Sequence, residues 1–289
     1  MSFSVVIVLH DSGEHLRRLL ASFDRVALRP QVICVDSGSR DDGPQIARTW
    51  GAELLTLDGN PGFGAANNAG LALAQHEVTV LLNPDCVLLD DGLTRLAALA
   101  QRREALIVPR LLNPDGSVQR SAHPRPGTIE GLIAAVVPPR ILPARLRVRL
   151  EPYRAEAPRT VGWAIAACVA GRTTLLRRLG PFDARAFLFY EDLQLCLDAR
   201  AAGVPTVLHP QIELTHVGGH ATGPALGTGV LELEAARRRT VVGAACGPRA
   251  LRIDDLSQWL TFRLRALVRR EPKRNRAMAA ALRLARRSS

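Results

Sequence analysis

Two short acidic segments of this 289-residue chain carry the side chains best suited to chemistry. The first is Asn83-Pro84-Asp85, which follows an apolar run at residues 78–82 that predicts a buried strand. Pro84 ends this strand because it has no N–H for a sheet ladder. A carboxylate just past the carboxyl end of a central strand is suited to a divalent cation that also binds phosphate oxygens. Taken alone, however, these three residues favour an ordinary turn.

The second segment is Glu191-Asp192, at the start of a helix that apolar spacing predicts over residues 191–202, with Gly203 closing it. The positive end of a helix dipole stabilises a carboxylate, so we expect the pKa of Asp192 to be lowered and the group to be ionised at neutral pH. An ionised carboxylate can accept a proton from a hydroxyl group. The alternative interpretation is a pair of helix-capping acids.

The elements that must position these acids alternate between strands and helices. Strands are predicted at residues 4–9, 31–35, 52–57, 78–82 and 105–108, and helices at 14–23, 42–50, 65–74 and 92–102, with Ser12 as the first N-cap. This alternation predicts an α/β fold with a parallel, doubly wound sheet. Small, polar and acidic loops then fall at strand ends, where a nucleotide would lie; they are residues 10–13, 36–39, 60–64 and 83–85.

Two common nucleotide-binding motifs are absent from the sequence. The loop after the first strand has no G-x-G-x-x-G, and the chain has no G-x-x-x-x-G-K-[ST]. These absences exclude the usual dinucleotide-binding and phosphate-loop interpretations.

The second half of the chain is less regular. Nine prolines between residues 109 and 160 predict an excursion over the surface, either a substrate-facing lid or a partly mobile insert. A strand at 161–169 and a short strand at 206–209 follow, and residues 229–270 have a helical pattern.

The positive charge of the chain is concentrated at its C-terminus. Residues 263–289 hold ten Lys and Arg and one acid, whereas the rest of the chain holds 28 bases and 26 acids. A nearly neutral body argues against nucleic-acid binding, and a basic tail favours contact with an anionic surface. The five cysteines lack metal-type spacing, and neither a secretory signal nor a long apolar span is evident, so we expect a cytoplasmic protein with reduced thiols.

Six motifs, in order along residues 3–220, resemble those of inverting glycosyltransferases of family 2, and most closely its rhamnosyltransferase-like branch. They are Val35-Asp-Ser-Gly-Ser39 with Asp41, Asn60-Pro-Gly-Phe-Gly-Ala-Ala-Asn67, Leu82-Asn-Pro-Asp85, Gly180-Pro-Phe-Asp183, Phe189-Tyr-Glu-Asp192 and His216-Val-Gly-Gly219. The resemblance implies a GT-A fold, a Rossmann-like and mostly parallel sheet flanked by helices. It predicts a glycosyltransferase domain at 1–228, with a nucleotide-sugar-binding half at 1–108 and an acceptor-binding half at 109–228, and a helical, basic extension at 229–289.

The resemblance also implies a donor site. Asp36 would accept a hydrogen bond from the pyrimidine base, with Ser39 nearby, and Asn67 would lie near the diphosphate or the sugar. Gly62 and Gly64 would let the backbone approach the donor closely. The structural alternatives are a turn aspartate for Asp36, an amide on a helix surface for Asn67 and ordinary loop glycines for Gly62 and Gly64.

A metal site follows from the same resemblance. Asp85 matches the metal-binding end of the family's D-x-D element, and Asn83 occupies its first position, so one carboxylate replaces two. The implied cofactor is a divalent cation, Mg²⁺ or Mn²⁺. His216 would be a further contact to the metal or the diphosphate, and imidazole suits Mn²⁺ better than Mg²⁺. A structural histidine is the alternative.

On the acceptor side, the resemblance makes Asp192 the catalytic base and Glu191 a supporting hydrogen-bond acceptor. Trp163 and Asp183 would border the acceptor pocket. Trp163 could be a platform on which a sugar stacks, but a tryptophan packed in the core fits the sequence equally well.

The implied reaction moves rhamnose or another deoxysugar from a dTDP- or UDP-linked donor to a saccharide or a lipid-linked saccharide. The basic segment at 258–289 could lie on an anionic membrane, or it could pack on the body with disorder beyond Pro272. Two other functions stay open at this point: a nucleotidyltransferase of similar fold, and a membrane- or nucleic-acid-binding module driven by the tail.

Overall fold

The computed structural model describes residues 2–138, 141–179, 182, 189–218, 229–268 and 271–287. The strands are β1 (Ser4–Leu9), β2 (Gln31–Asp36), β3 (Glu53–Thr56), β4 (Val78–Leu82), β5 (Cys86–Leu88), β6 (Leu106–Leu112), β7 (Ala122–His123), β8 (Arg159–Val161), β9 (Trp163–Ala164), β10 (Cys168–Arg172) and β11 (Thr206–His216). The helices are α1 (Gly13–Ser22), α2 (Gly43–Trp50), α3 (Phe63–Leu73), α4 (Gly92–Arg102), α5 (Ile129–Val136), α6 (Ala144–Leu150), α7 (Thr173–Arg178), α8 (Glu191–Ala201), α9 (Val230–Leu267) and α10 (Pro272–Arg287).

A nine-stranded sheet forms the centre of the described part of the chain, in the order β3-β2-β1-β4-β10-β6-β11-β5, with β8 beside β11. Helices pack on both faces of the sheet, and two clusters of buried apolar side chains fill the space between the helices and the sheet. The α/β class predicted from the alternating pattern is therefore confirmed. Every residue of β1 and β4 is buried, which explains their continuous apolar sequences.

The N-terminal half of the sheet is parallel, and its register brings the strand ends together. Leu9 at the end of β1 lies opposite Asp36 at the end of β2, and Asp36 lies opposite Thr56 of β3. The loops that follow these strands consequently meet at one edge, as the sequence predicts.

Beyond β4 the sheet is mixed. β10 runs antiparallel between β4 and β6, and β11 is parallel to β6 but antiparallel to β5. The predicted short strand at 206–209 continues to His216, with an irregularity in its pairing between His209 and Glu213. His216 pairs with Cys86, the residue that follows Asp85. The longer strand therefore places His216 close to Asp85.

The predicted strand at 161–169 is divided into β8, β9 and β10. Gly162 separates β8 from β9 because the chain of the insert crosses directly over it: its N–H donates to His123 C=O at 2.9 Å. A Cβ atom on Gly162 would lie 2.1 Å from the Arg125 nitrogen. The insert is also more ordered than the prolines suggest, since β7 pairs with β9 and α5 packs on α9.

The described residues of the C-terminal region are helical, in α9 and α10. α9 is broken at Gly247, whose φ of 80° and ψ of 173° are not helical, and Pro248 starts its second half. Disorder beyond Pro272 is a wrong prediction, because α10 packs on α9 and buries Met278 and Leu282 against Ala235. Among the described residues, no helix is both long and apolar enough to span a membrane.

Candidate active site

Three loops at the parallel edge of the sheet are joined around Asp36. The Asp36 carboxylate is buried and accepts the backbone N–H of Ser39 at 3.0 Å. Ser39 Oγ in turn accepts the N–H of Asp11 at 3.2 Å, and Asp11 Oδ1 accepts the N–H of Arg40 at 2.6 Å. The structure therefore places Asp36 and Ser39 side by side, held by the loop after β1.

Asn60 connects the same edge to the glycine-rich loop. Its Oδ1 accepts the Ser37 hydroxyl at 3.1 Å and the Gly62 N–H at 3.0 Å. Gly62 has φ 96° and directly precedes α3, a backbone conformation that glycine adopts without strain. Ser12 precedes α1 as predicted, but its hydroxyl donates to His10 C=O at 2.9 Å and makes no capping bond to the helix.

The first turns of α3 bury Gly64 and Asn67. Asn67 is 2% exposed, so its interpretation as a helix-surface amide is wrong. Its Nδ2 donates to Phe63 C=O at 3.0 Å, within its own helix. The neighbouring Asn68, which the sequence analysis missed, exchanges two hydrogen bonds with the backbone of Phe182, at 2.8 and 2.9 Å.

Asp85 and His216 form a buried pair at the end of β4. Asp85 Oδ1 lies 3.3 Å from His216 Nε2, and Asp85 Oδ2 accepts the N–H of Gly218 at 2.9 Å. Burial raises the pKa of Asp85, but the hydrogen bonds from His216 and Gly218 outweigh it, and the pKa lies below its ordinary value. Asp85 is therefore anionic at neutral pH.

Gln119, another residue that the sequence did not reveal, orients His216. Gln119 Oε1 lies 2.8 Å from His216 Nδ1, and Gln119 Nε2 donates to His216 C=O at 3.4 Å. The Gln119 carbonyl oxygen requires a proton on Nδ1, and the Asp85 carboxylate requires a proton or a metal cation at Nε2. Two electron-pair donors facing each other suit a cation shared between them.

The donor set is small. Among the residues that the structure describes, no cluster of three or more His, Cys, Asp and Glu could hold a metal. Asp85 and His216 therefore fit a cation that takes its other ligands from a bound molecule, such as phosphate oxygens. One carboxylate with one imidazole suits Mn²⁺.

Asp192 and the loop that carries Asp85 both bond to the turn between β9 and β10. The backbone N–H of Ala166 bonds the Asp192 carboxylate, and Ala167 C=O accepts the N–H of Asn83 at 2.8 Å. Since Ala166 and Ala167 are consecutive, the Asp192 carboxylate and Asn83, two residues before Asp85, bond to the backbone of the same turn. The structure thus joins to one turn two acidic segments more than a hundred positions apart.

The expected low pKa of Asp192 is wrong. Burial raises the pKa of Asp192 to about 6 and that of Glu191 to about 7, even though both lie in the first turn of α8. The loss of water outweighs the dipole because the dipole is worth at most about 2 kcal/mol. Asp192 Oδ1 still accepts the Leu193 N–H at 2.7 Å, whereas Glu191 Oε1 has no hydrogen-bond partner in the described structure.

The residues before α8 hold a strained backbone. Phe189 and Tyr190 have φ of 77° and 63°, values that residues other than glycine rarely adopt. Tyr190 is fixed on both sides: its ring lies edge-on to Trp163 at 6.5 Å, and the guanidinium of Arg238 lies 5.3 Å over it. A strained pair of this kind is typical of a loop that aims the next residues, here Glu191 and Asp192.

Trp163 is half-buried and borders a cavity of about 910 Å³. One face of its indole stacks on His123, with ring centres 4.3 Å apart, and burial lowers the pKa of His123 to about 4. The structure therefore favours a pocket wall over a fully packed core residue. Asp183, predicted on the same side, lies outside the described residues.

Comparisons with known proteins identify the family of this chain. The family model described as "Glycosyl transferase family 2" matches residues 4–179. The N-acetylglucosaminyl-diphospho-decaprenol L-rhamnosyltransferase of Mycobacterium tuberculosis (strain ATCC 25618 / H37Rv) is 33% identical over 241 residues, which is 76% of this chain and 77% of the relative.

Two solved structures are similar in fold. The mannosyltransferase PcManGT from Pyrobaculum calidifontis, in complex with GDP-Man and Mn²⁺, has a TM-score of 0.62 and 16% identity, over 98% of this chain and 85% of that one. GalNAc-T7 with UDP, GalNAc and Mn²⁺ has a TM-score of 0.60 and 17% identity, over 84% of this chain and 47% of that one. At these identities the similarity shows the fold alone.

Proposed function

Because this chain belongs to glycosyltransferase family 2, we propose that it transfers a deoxysugar with inversion from a nucleoside diphosphate to a hydroxyl of a lipid-linked saccharide. Family membership makes the chain a glycosyltransferase, and this decides against the nucleotidyltransferase and the non-catalytic binding module. The donor sugar, the acceptor and the roles of individual residues are proposals.

The observation that carries the mechanism is the turn shared by Asp192 and Asn83. In an inverting transfer, the attacking hydroxyl and the departing diphosphate lie on opposite sides of the anomeric carbon. Asp85 and His216, next to Asn83, would hold the diphosphate, and Asp192, bonded to the same turn, would receive the acceptor. The shared turn supports this division of roles.

Asp192 would act as the general base. It would take the proton of the acceptor hydroxyl as that oxygen attacks, and a pKa of about 6 keeps it mostly ionised at pH 7 while leaving it basic enough to accept a proton. The backbone N–H groups of Leu193 and Ala166 would hold the carboxylate in place. Glu191, with a pKa of about 7, would support it as a hydrogen-bonding neighbour.

The donor would lie across the parallel edge of the sheet. Asp36 would accept a hydrogen bond from the base, and Gly62 and Gly64 would let the backbone of α3 approach the donor. A divalent cation bound to Asp85 and His216 would neutralise the charge of the departing diphosphate. Two proteins of similar fold were solved with Mn²⁺, which supports this choice of metal.

The relative from Mycobacterium tuberculosis supports rhamnose as the sugar and a diphosphate-linked lipid as the acceptor, since its name states both. We therefore propose dTDP-rhamnose as the first donor to test and UDP-sugars as the second. A peripheral contact with the membrane would place the enzyme near such an acceptor; exposed Leu264, Leu267 and Val268 at the end of α9 support it.

A thermal-shift panel tests the donor proposal. We expect dTDP and dTDP-rhamnose, with Mn²⁺, to raise the Tm by several degrees, because a ligand at 100 times its Kd adds about 2.7 kcal/mol to the free energy of unfolding. The same nucleotides without Mn²⁺ should give a smaller shift. Purine nucleotides are the control, and a panel in which no pyrimidine nucleotide stabilises the protein would contradict the proposal.

The pH dependence of transfer tests the raised pKa of Asp192. The base works only when deprotonated, so kcat/KM should be constant above pH 7 and fall tenfold per unit below about pH 6. An ordinary aspartate would give the fall near pH 4. Glu191→Gln serves as the matched variant: if it removed the fall, the titrating group would be Glu191 and the assignment of the base would be wrong.

A further inference from the structure

The cavity beside Trp163 extends away from the catalytic acids along the second half of α9. Asp254, Ser257, Thr261, Leu264 and Leu267 line it in succession. From the first to the last of them the helix rises ~20 Å. One end therefore lies at Tyr190 and Trp163, and the other lies at the C-terminal end of α9.

Helix α5 forms the opposite wall and runs in the same direction. Its start lies against Ala250, since a Cβ atom on Gly127 would be 2.4 Å from the Ala250 carbonyl oxygen. One turn later, a Cβ atom on Gly131 would be 3.8 Å from Ser257 Oγ. The C-terminal ends of both helices consequently meet at the far end of the cavity.

The end near Trp163 is cationic. Four arginines and two acids line this end of the cavity; the set is Arg120, Arg125, Arg154, Arg238, Glu151 and Asp254. Both acids are already paired, Asp254 by two bonds of 2.8 Å from Arg238, and Glu151 by Arg154 at 2.7 Å and Arg120 at 3.8 Å. His123 is neutral at pH 7, because burial lowers its pKa to about 4. This end keeps an excess of two positive charges, which suits an anion with more than one charge.

The far end of the cavity is apolar and open. Val136 and Pro138 from the end of α5 face it, with Leu264, Leu267 and Val268 from α9. Val136 is 49% exposed, Leu267 is 71% exposed and Val268 is 74% exposed. Clustered exposed side chains of this size mark a surface that takes an apolar partner.

We propose that this cavity binds the acceptor as the diphosphate ester of a long apolar alcohol. The diphosphate would lie against Arg120 and Arg125, which places the attached sugar toward Trp163 and Tyr190, two residues before Asp192. The first part of the apolar chain would run along α9 and leave between Leu267 and Val268. The inference rests on the proposed function, and it adds where and by which side chains the acceptor is held.

A sugar-free probe tests this assignment. Farnesyl diphosphate combines both parts of the proposed ligand, and its binding to the full chain can be measured by isothermal titration calorimetry. We expect it to bind at least about tenfold more tightly than pyrophosphate or farnesol, because each of those fills one end only. Equal affinity for farnesyl diphosphate and pyrophosphate would overturn the proposal, as would equally tight binding of dihexanoyl phosphatidylglycerol, a single phosphate with two chains.

Two double variants separate the ends of the cavity, and both replace exposed side chains. Arg120→Gln with Arg125→Gln should raise the Kd of farnesyl diphosphate about tenfold or more and leave farnesol unchanged. Leu267→Ser with Val268→Ser should weaken farnesyl diphosphate and farnesol but not pyrophosphate. Arg48→Gln, an exposed arginine on α2, is the control and should change none of them. If Arg48→Gln weakened the binding of farnesyl diphosphate equally, the loss would reflect the net charge of the protein, and the proposal would be overturned.

This experiment tests the cavity independently of the proposed function, because binding of the probe requires no sugar transfer. An active transferase that does not bind farnesyl diphosphate would exclude this cavity as the acceptor site. A chain that binds the probe as expected but transfers no sugar would overturn the proposed function and leave the cavity assignment supported.

Discussion

Asp192→Asn should lower kcat by about 10²–10⁴-fold, the usual contribution of a general base. The substitution keeps the shape of the side chain and an oxygen that can accept the Leu193 N–H. It removes the group that takes the proton. Initial rates with saturating donor and acceptor measure kcat, and the thermal shift with dTDP-rhamnose should stay the same, because Asp192 does not contact the nucleotide in the proposed complex.

Two variants on the same helix make this result specific. Asp198→Asn replaces a half-buried acid near the other end of α8 and should leave kcat within about twofold. Glu191→Gln should cost far less than Asp192→Asn, because a carboxyl group with a pKa of about 7 is half neutral already and glutamine mimics its neutral form. If Glu191→Gln lost more activity than Asp192→Asn, Glu191 would be the base, and its buried Oε1 without a partner would be the atom concerned.

The parallel half of the fold follows from local sequence. The runs that became β1, β2 and β4 are continuous and apolar because both faces of these strands are covered, and a loop with small or acidic residues follows each of them. The positions of Asp36 and Asp85 at strand ends could therefore be predicted.

The remaining parts depend on contacts between distant segments. His216 reaches Asp85 only because β11 continues past its irregular pairing at Pro210, and the prediction ended that strand at residue 209. Gln119 has no motif around it; its role comes from its hydrogen bonds with His216. The motif at residues 216–219 identified His216, but no local pattern identified Gln119.

Burial explains the two largest errors. The helix dipole near Asp192 is a local feature and can be predicted, but the water removed by neighbouring elements cannot, and it reversed the expected pKa shift. The same applies to α10, where a composition of arginine and alanine suggests disorder. Its Met278 and Leu282 are buried in a cluster with Ala235 and Phe262 of α9, a contact that the local sequence does not show.

Asp85→Asn should reduce kcat/KM by about 10²–10⁴-fold and remove most of the response to Mn²⁺. The variant can keep the bond from the Gly218 N–H, which Asp85 Oδ2 accepts at 2.9 Å, but it loses the negative charge beside His216 Nε2. The energetic effect is large because the lost charge would otherwise hold the cation against the diphosphate as charge develops there. Initial rates over a Mn²⁺ titration measure both changes.

Two neighbouring positions provide a control variant and a variant with the opposite expected effect. Asp90→Asn replaces an exposed acid paired with Arg95 and should change neither the rate nor the Mn²⁺ dependence, since exposed ion pairs contribute about 0–1 kcal/mol. Asn83→Asp restores the second carboxylate of the D-x-D pattern, so half-maximal activation should occur at a lower Mn²⁺ concentration. Full activity of Asp85→Asn without added metal would show that the diphosphate is neutralised by other groups. In that case the pairing of Asp85 with His216 would serve only to fix the end of β11 against β5, where His216 lies opposite Cys86.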